Sequence, residues 1–153
     1  MSQAIQVVME YAAEFEKTYA DDNWARLESY FPEDVIYQVI GGPMACRIDG
    51  REAMFKGIRK SLDGLDRRFD GRHIELLEGP ISKNVPEGEE VSMAWRITYT
   101  RENCPPVPLP GRSVFVISSG KVVAMRDEYD DAEMEEMQTW NEQYGADIDG
   151  SYV

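Results

Sequence analysis

The sequence has very few of the side chains that bind transition metals or form disulfides. It contains two cysteines, Cys46 and Cys104, and one histidine, His73, in 153 residues. The cysteines lack the close spacing of a metal-binding pair, and one histidine leaves too few ligands for a zinc site. We therefore expect no metal and no organic cofactor, and we expect the cysteines to stay unpaired in a reducing compartment.

Long apolar runs and an excess of basic charge are also missing. No stretch of about 18 apolar residues exists, so we expect no contact with a membrane. The N-terminal segment lacks the basic and apolar regions of a signal peptide, so we predict a cytoplasmic protein. A net charge of −13 would repel a phosphate backbone, which disfavours nucleic acid as a partner.

Basic residues are absent from the C-terminal end of the chain, where no lysine or arginine follows Arg126. This acidity indicates a solvated surface rather than a binding site.

The length of the chain suits one domain with its own core. We predict a single domain over residues 1–145 and a loosely held acidic tail over 146–153.

Helical periodicity dominates the first part of the sequence. Apolar residues recur at helical spacing over 3–20 and over 51–62, and each segment is predicted to form an amphipathic helix. A polar turn at 21–23 can cap a second, short helix that Pro32 ends. Between these helices, the segment 34–40 is rich in β-branched residues and is predicted to form a strand.

The second part of the sequence alternates between apolar and polar residues in the manner of strands. Four strands linked by turns are predicted from His73 onward, followed by a helix over 131–144. Segment 41–50 and the proline-rich segment 104–111 are predicted to be loops. Helices followed by such strands indicate an α+β domain, with helices on one face of a mainly antiparallel sheet.

Three stretches of the sequence resemble a known superfamily. They are YADDNWARLESYFPEDVIYQV (19–39), IDGREAMFKGI (48–58) and GRSVFVISSGKVVAMRDEYD (111–130). With the element order, they resemble the nuclear transport factor 2-like proteins, whose enzymes include SnoaL-like polyketide cyclases, limonene-1,2-epoxide hydrolase, ketosteroid isomerase and scytalone dehydratase. The resemblance implies a cone-shaped, curved mixed or antiparallel sheet wrapped around N-terminal helices, with a pocket for a small apolar organic molecule.

The last predicted strand places a carboxylate among apolar side chains. Val123, Met125, Asp127 and Tyr129 share one face of this strand, and its aromatic and methionine residues indicate the face that points inward. A buried carboxylate must find hydrogen-bond donors or have a raised pKa. Asp127 is therefore a candidate general base; the alternative is a half-solvated Asp that caps the next helix.

The resemblance to the epoxide hydrolase implies roles for two residues. Its water-activating Asp falls on Asp127, and a Tyr that holds the water falls on Tyr37. An Asn two residues later in the hydrolase is Val39 in this chain, and the strand around Trp95 and Arg96 does not supply the hydrolase's second Asp. The isomerase's general base also falls on Val39, and valine cannot abstract a proton, which argues against steroid-type double-bond isomerisation. The sequence does not otherwise separate hydrolase, isomerase, cyclase and dehydratase chemistry.

His73 and a set of aromatic residues complete the predicted site. Dehydratase-like members carry a catalytic His near His73, which makes it a third candidate catalytic residue, although a lone histidine on a strand is more often a surface residue. Strand alternation favours an inward Trp95 and an outward Arg96. The residues predicted to bind the substrate are Tyr11, Phe15, Trp24, Val39, Trp95 and Tyr129.

Apolar residues occupy both faces of the strand that contains Phe115 and Ile117. Val114 and Val116 point to the opposite face, which therefore needs cover from a partner. This pattern predicts a homodimer that pairs through the sheet.

The leading hypothesis for the function is a cofactor-independent enzyme that performs acid/base chemistry. The alternative is a non-catalytic ligand-binding or scaffold protein of the same fold.

Overall fold

A curved, open sheet of six strands dominates the structure, a computed structural model that describes residues 2–153. The strands are β1 (Ile36–Ile40), β2 (Cys46–Asp49), β3 (Gly71–Val85), β4 (Gly88–Thr100), β5 (Val107–Ser118) and β6 (Lys121–Glu128). Their order across the sheet is β2-β1-β6-β5-β4-β3. The pair of β1 and β6 is parallel and the other neighbours are antiparallel, which confirms the predicted α+β fold with a mixed sheet.

Three α-helices and two short 3₁₀-helices pack with this sheet. They are α1 (Gln3–Asp21), α2 (Arg51–Gly64) and α3 (Glu135–Tyr144), with 3₁₀-helices at Trp24–Tyr30 and Asp66–Arg68. The Ser2 hydroxyl accepts a hydrogen bond from the Ile5 N–H and so caps the first turn of α1. No helix within residues 2–153 is long and apolar enough to cross a membrane.

The core lies between the concave face of the sheet and the helices α1 and α2. Val8 of α1, Leu27 of the first 3₁₀-helix and Met54 of α2 are fully buried in one apolar cluster with Val35 and Val91. Burying apolar side chains removes them from water, which is the dominant favourable contribution to folding. The helices therefore lie where the amphipathic patterns at 3–20 and 51–62 place them.

Two segments that were predicted to be loops form strands. Residues 46–49 pair with β1 as the edge strand β2, and β5 begins at Val107, before the end of the proline-rich segment. Pro108 and Pro110 pair with β4 on one side only, because the register of β6 with β5 begins at Arg112. Proline is tolerated at such a locally unpaired edge, since its missing N–H breaks no ladder bond.

A β-bulge changes which valine of β6 faces the core. The register between β5 and β6 shifts between Val116 and Ile117, so that Val122 pairs with Ile117. Val122 is fully buried, whereas Val123 is only partly buried. The prediction that Val123 shares the inward face was therefore wrong, because the extra residue of a bulge reverses the side-chain alternation.

Helix α3 packs on its own chain at the end of the sheet. Met134, Met137 and Trp140 are buried, and the Trp140 ring lies 5.1 Å from the Phe69 ring. The Trp140 indole N–H also donates a hydrogen bond to the Pro105 carbonyl oxygen at 2.8 Å. Helix α3 thus docks within one chain.

The C-terminal segment 146–153 does not extend into solvent but follows helix α2. The Ser61 hydroxyl donates to the Gly150 carbonyl oxygen at 2.6 Å, and the Asp149 N–H donates to the Gly64 carbonyl oxygen at 2.9 Å. The Tyr152 ring packs 5.6 Å from the Tyr37 ring. The expectation of a loosely held tail was wrong, because satisfied backbone groups and a buried aromatic ring hold it in place.

Gly64 provides a direct test of this tail contact. A Cβ atom at Gly64 would overlap with the Asp149 carbonyl oxygen. We expect Gly64→Ala to lower the free energy of unfolding by about 1–3 kcal/mol and to speed amide exchange at 149–152. Ser61→Ala, which removes one hydrogen bond without a clash, should have a smaller effect. Unchanged exchange in the tail of Gly64→Ala would contradict the observed packing.

Candidate active site

A cavity of about 230 Å³ lies between the concave face of the sheet and the helices α1 and α2. Most of its wall is apolar and aromatic, with contributions from Tyr11 and Phe15 of α1, Trp95 of β4 and Phe115 of β5. Ile74 belongs to the wall and is 43% exposed, which marks where the cavity opens. An apolar cavity of about 150 Å³ can bind benzene, so this one suits a molecule of one or two rings.

The Asp127 carboxylate lies in the wall of this cavity and accepts two hydrogen bonds. The Tyr37 hydroxyl donates to Oδ2 at 2.5 Å, and the Ser113 hydroxyl donates to Oδ1 at 2.6 Å. The sheet register positions both donors. Ser113 pairs directly with Asp127 across β5 and β6. On β1, Asp127 pairs with Val39, and Tyr37 lies two residues before Val39 on the same face. Each carboxylate oxygen therefore has one short, fixed donor.

Trp95 fixes the direction of the Ser113 hydroxyl. The Trp95 indole N–H, which can only donate, forms a 2.9 Å hydrogen bond to the Ser113 oxygen. The Ser113 proton is thereby directed to Asp127. Trp95 points inward as the alternation predicts, and Arg96 points outward to an ion pair of 2.7 Å with Glu75.

Burial makes the carboxylate of Asp127 harder to ionise. Desolvation raises its pKa above the ordinary value of 3.8, and the hydrogen bonds from Ser113 and Tyr37 oppose that rise by stabilising the charged form. Burial and the nearby Asp127 also raise the pKa of Tyr37 well above 10.0. Tyr37 therefore stays protonated and acts as a hydrogen-bond donor.

A second polar group lies elsewhere in the cavity wall. The Tyr99 hydroxyl donates to Asp66 Oδ2 at 3.0 Å, and Arg72 forms an ion pair of 3.0 Å with Glu16. Burial raises the pKa of Asp66, while the charge of Arg72 and the hydrogen bond from Tyr99 oppose the rise. All four of these residues line the cavity.

Six of the nine residues predicted from the sequence line the cavity. They are Asp127, Tyr37, Tyr11, Phe15, Trp95 and Tyr129. The structure brings both main candidates for chemistry, Asp127 and Tyr37, into direct contact. The aromatic residues form the wall around them, as expected from the faces they occupy on α1, β4 and the end of β6.

The other three predicted residues lie outside the cavity wall. His73 is exposed, because its strand neighbours Arg72 and Ile74 point inward and alternation directs His73 outward. Trp24 packs against Phe15 of α1 and Phe55 of α2, outside the cavity wall. Val39 is buried in the core. It pairs with Asp127 in the register of β1 and β6.

Several residues of the cavity were missed by the sequence analysis. Ser113 could not have been found from the hairpin register alone, because the bulge at Val116 and Ile117 shifts its partner on β6 from Arg126 to Asp127. Asp66, Arg72 and Tyr99 come together from a 3₁₀-helix and two strands, and Tyr152 comes from the tail. No local sequence pattern connects residues that are so far apart in the chain. Within residues 2–153, no group of three or more His, Cys, Asp or Glu side chains could hold a metal ion.

The curved sheet with a cavity on its concave face defines a nuclear transport factor 2-like protein. The model of the SnoaL-like domain matches residues 12–125. The chain therefore belongs to the SnoaL-like domain family. Among curated proteins, none matches the sequence.

Solved structures with the same fold are similar over most of their length. TerC, co-crystallised with polyporic acid, is 16% identical with a TM-score of 0.63, and the match covers 93% of this chain and 100% of TerC. A putative polyketide cyclase from Xanthomonas campestris is 21% identical, with a TM-score of 0.54 and coverage of 92% and 96%. An NTF2-like protein from Anabaena variabilis is 13% identical, with a TM-score of 0.60 and coverage of 84% and 90%. At these identities the likeness shows the fold alone.

The hydrogen bond from Ser113 leads to a prediction about the titration of Asp127. Ser113→Ala removes a donor that favours the charged carboxylate, so the pKa of Asp127 should rise further above its wild-type value. Carbon-13 NMR of the aspartate carboxyl groups measures this directly. Ser118→Ala, on the same strand but away from Asp127, should leave the titration unchanged. A lowered or unchanged pKa in Ser113→Ala would contradict the role given to this hydrogen bond.

Proposed function

We propose that this protein is an enzyme that performs acid/base chemistry on a small, largely apolar organic molecule. The observation that carries the proposal is the Asp127 carboxylate, which lies in the wall of an apolar cavity between two fixed hydrogen-bond donors. A carboxyl group with a raised pKa in a cleft is the kind of group that transfers protons in enzymes. Asp127 would take a proton from the substrate or from a water molecule and later return it.

The neighbours of Asp127 support proton transfer by this residue. Tyr37 and Ser113 hold the two carboxylate oxygens, so the carboxylate is oriented before a substrate arrives. Such preorganisation lowers the cost of reaching the transition state. Hydrolase, isomerase, cyclase and lyase reactions can all use a base of this kind, and the proposal covers this group of reactions as a class.

The cavity also suits the size and polarity of such a substrate. Its aromatic wall favours a flat apolar molecule, and its volume limits that molecule to one or two rings. Two structural neighbours support an organic ligand: the putative polyketide cyclase, and TerC with its polyporic acid. We expect substrates among bicyclic ketones, epoxides and alcohols.

Replacing Asp127 tests the catalytic proposal. Asp127→Asn keeps the shape of the side chain but removes the base, so turnover should fall by about 100-fold or more. The assay is NMR detection of turnover or of C–H exchange in D₂O across a panel of bicyclic ketones, epoxides and alcohols.

The pH dependence of the wild-type rate gives a second test. The rate should rise with pH, because only the ionised form of Asp127 is a base. This rise should occur at a higher pH than the titration of an exposed aspartate, because burial raises the pKa of Asp127.

Asp34→Asn provides the matched control, since it removes the same charge at an exposed position. It should retain the wild-type rate. If Asp127→Asn turned over a substrate at the wild-type rate, the catalytic proposal would fail. The protein would then be better described as a ligand-binding member of the family.

We also propose that the protein forms a homodimer through the outer face of the sheet. Val114 is only 2% exposed within one chain, so it does not by itself need the partner that the sequence pattern predicted. Leu77 and Ile81 of β3, however, are 51% and 48% exposed. Leu77 borders an outer groove with Pro108 and Pro110, and a second copy would remove this apolar surface from water.

A charged substitution in this groove tests the dimer. Leu77→Glu places a charge in the proposed interface and should convert a dimer into a monomer, as measured by light scattering at micromolar concentration. Met9→Glu changes a similarly exposed apolar residue on α1 and should leave the dimer intact. A monomer mass for the wild type would overturn the proposal.

A further inference from the structure

The cavity has a second polar region whose residues the proposed proton transfer does not use. Asp127 and its donor Ser113 lie at the level of Met93 on β4, because Met93 pairs with Ser113. Tyr99, which holds Asp66, lies six residues further along the same strand. The carboxylates of Asp127 and Asp66 therefore lie near different ends of the inward face of β4.

Arg72 has an unused hydrogen-bond donor in this second region. Its terminal nitrogens bind Glu16, and its guanidinium group stacks 3.9 Å from the centre of the Tyr19 ring. The side chain is only 8% exposed, yet the Nε–H has no hydrogen-bond partner among residues 2–153. Buried donors without partners are rare in native proteins, so this N–H has the capacity for one further hydrogen bond.

Asp66 supplies an acceptor beside this donor. Arg72 Nε lies 3.8 Å from Asp66 Oδ2, which is too long for a direct hydrogen bond. A hydroxyl group can bridge such a pair, because its oxygen accepts from one group while its proton donates to the other. Tyr99 keeps the Asp66 side chain in position by donating to the same oxygen.

We propose that Arg72 and Asp66 bind a neutral hydroxyl group of the substrate, which accepts from Arg72 Nε and donates to Asp66. This assignment rests on the proposed function only because both place the substrate in the same cavity. It defines the substrate class more closely, as an apolar ring compound with a hydroxyl group at the end remote from Asp127.

Charge distinguishes a neutral hydroxyl from an anionic group at this position. Arg72 carries one positive charge, and the carboxylates of Glu16 and Asp66 both lie within 4 Å of its guanidinium group. A substrate carboxylate would add a third negative group around one cation whose side chain is only 8% exposed, which is unfavourable. A hydroxyl group adds no charge and fits both the donor and the acceptor.

The experiment compares the binding of 2-tetralol with that of tetralin, which has the same rings without the hydroxyl group. Wild-type protein should bind 2-tetralol about 10-fold more tightly, since a hydrogen bond to a charged group contributes about 1.5 kcal/mol or more. In Arg72→Met this preference should fall to about threefold or less, with tetralin binding unchanged. Binding is measured by NMR titration of the tryptophan indole signals, which include Trp95 of the cavity.

Two controls separate this assignment from the catalytic proposal. Arg96→Met removes an arginine of the outer face, paired with Glu75, and should leave the preference intact. Asp127→Asn should also keep the preference, because the hydroxyl group binds at the other end. A preference that survives in Arg72→Met, or one that disappears in Asp127→Asn, would overturn the assignment without affecting the test of catalysis by turnover.

A second measurement covers the case in which Arg72→Met fails to fold. In wild-type protein labelled with nitrogen-15, 2-tetralol should shift the Arg72 Nε–H signal and tetralin should not. Arg72→Lys identifies that signal by its loss from the spectrum. An Nε–H signal that responds equally to both compounds, or equal affinities of the wild type for both, would overturn the assignment.

Discussion

The burial of the Asp127 carboxylate is the interaction on which the arrangement of the site depends. A charged group in an apolar cavity is costly unless donors stabilise it. Tyr37 from β1 and Ser113 from β5 both reach Asp127 because β6 lies between those two strands. The parallel pairing of β1 with β6 is therefore essential to the site, and Trp95 extends the same hydrogen-bonded chain to β4.

The remaining elements close the space around this carboxylate. Helices α1 and α2 cover the concave face of the sheet, and the tail brings Tyr152 against Tyr37. Each additional wall removes water, which strengthens the hydrogen bonds to Asp127 and raises its pKa. At the other end of the cavity, the buried Nε–H of Arg72 has no hydrogen-bond partner among residues 2–153. One cavity thus holds an oriented carboxylate at one end and a second group of polar side chains at the other.

The sequence predicted the fold better than it predicted the site. Helical spacing in α1 and α2 and alternation in β3 to β6 survive in the structure because burial of one face dictates both patterns. The strands at 46–49 and 107–111 were missed, since glycine and proline are typical of loops, and their pairing depends on neighbours distant in sequence. The bulge at Val116 and Ile117 likewise has no local signature and reverses the expected positions of Val122 and Val123.

The sequence by itself determined the α+β class, the family and the inward position of Asp127, because alternation along one strand is a local property. Only the tertiary structure decided which donors hold that carboxylate, that His73 points outward, and that Asp66, Arg72 and Tyr99 share its cavity. The physical reason is that hydrogen bonds and cavity walls join residues from different elements. Their positions depend on strand order, register and helix packing, which are properties of the folded chain as a whole.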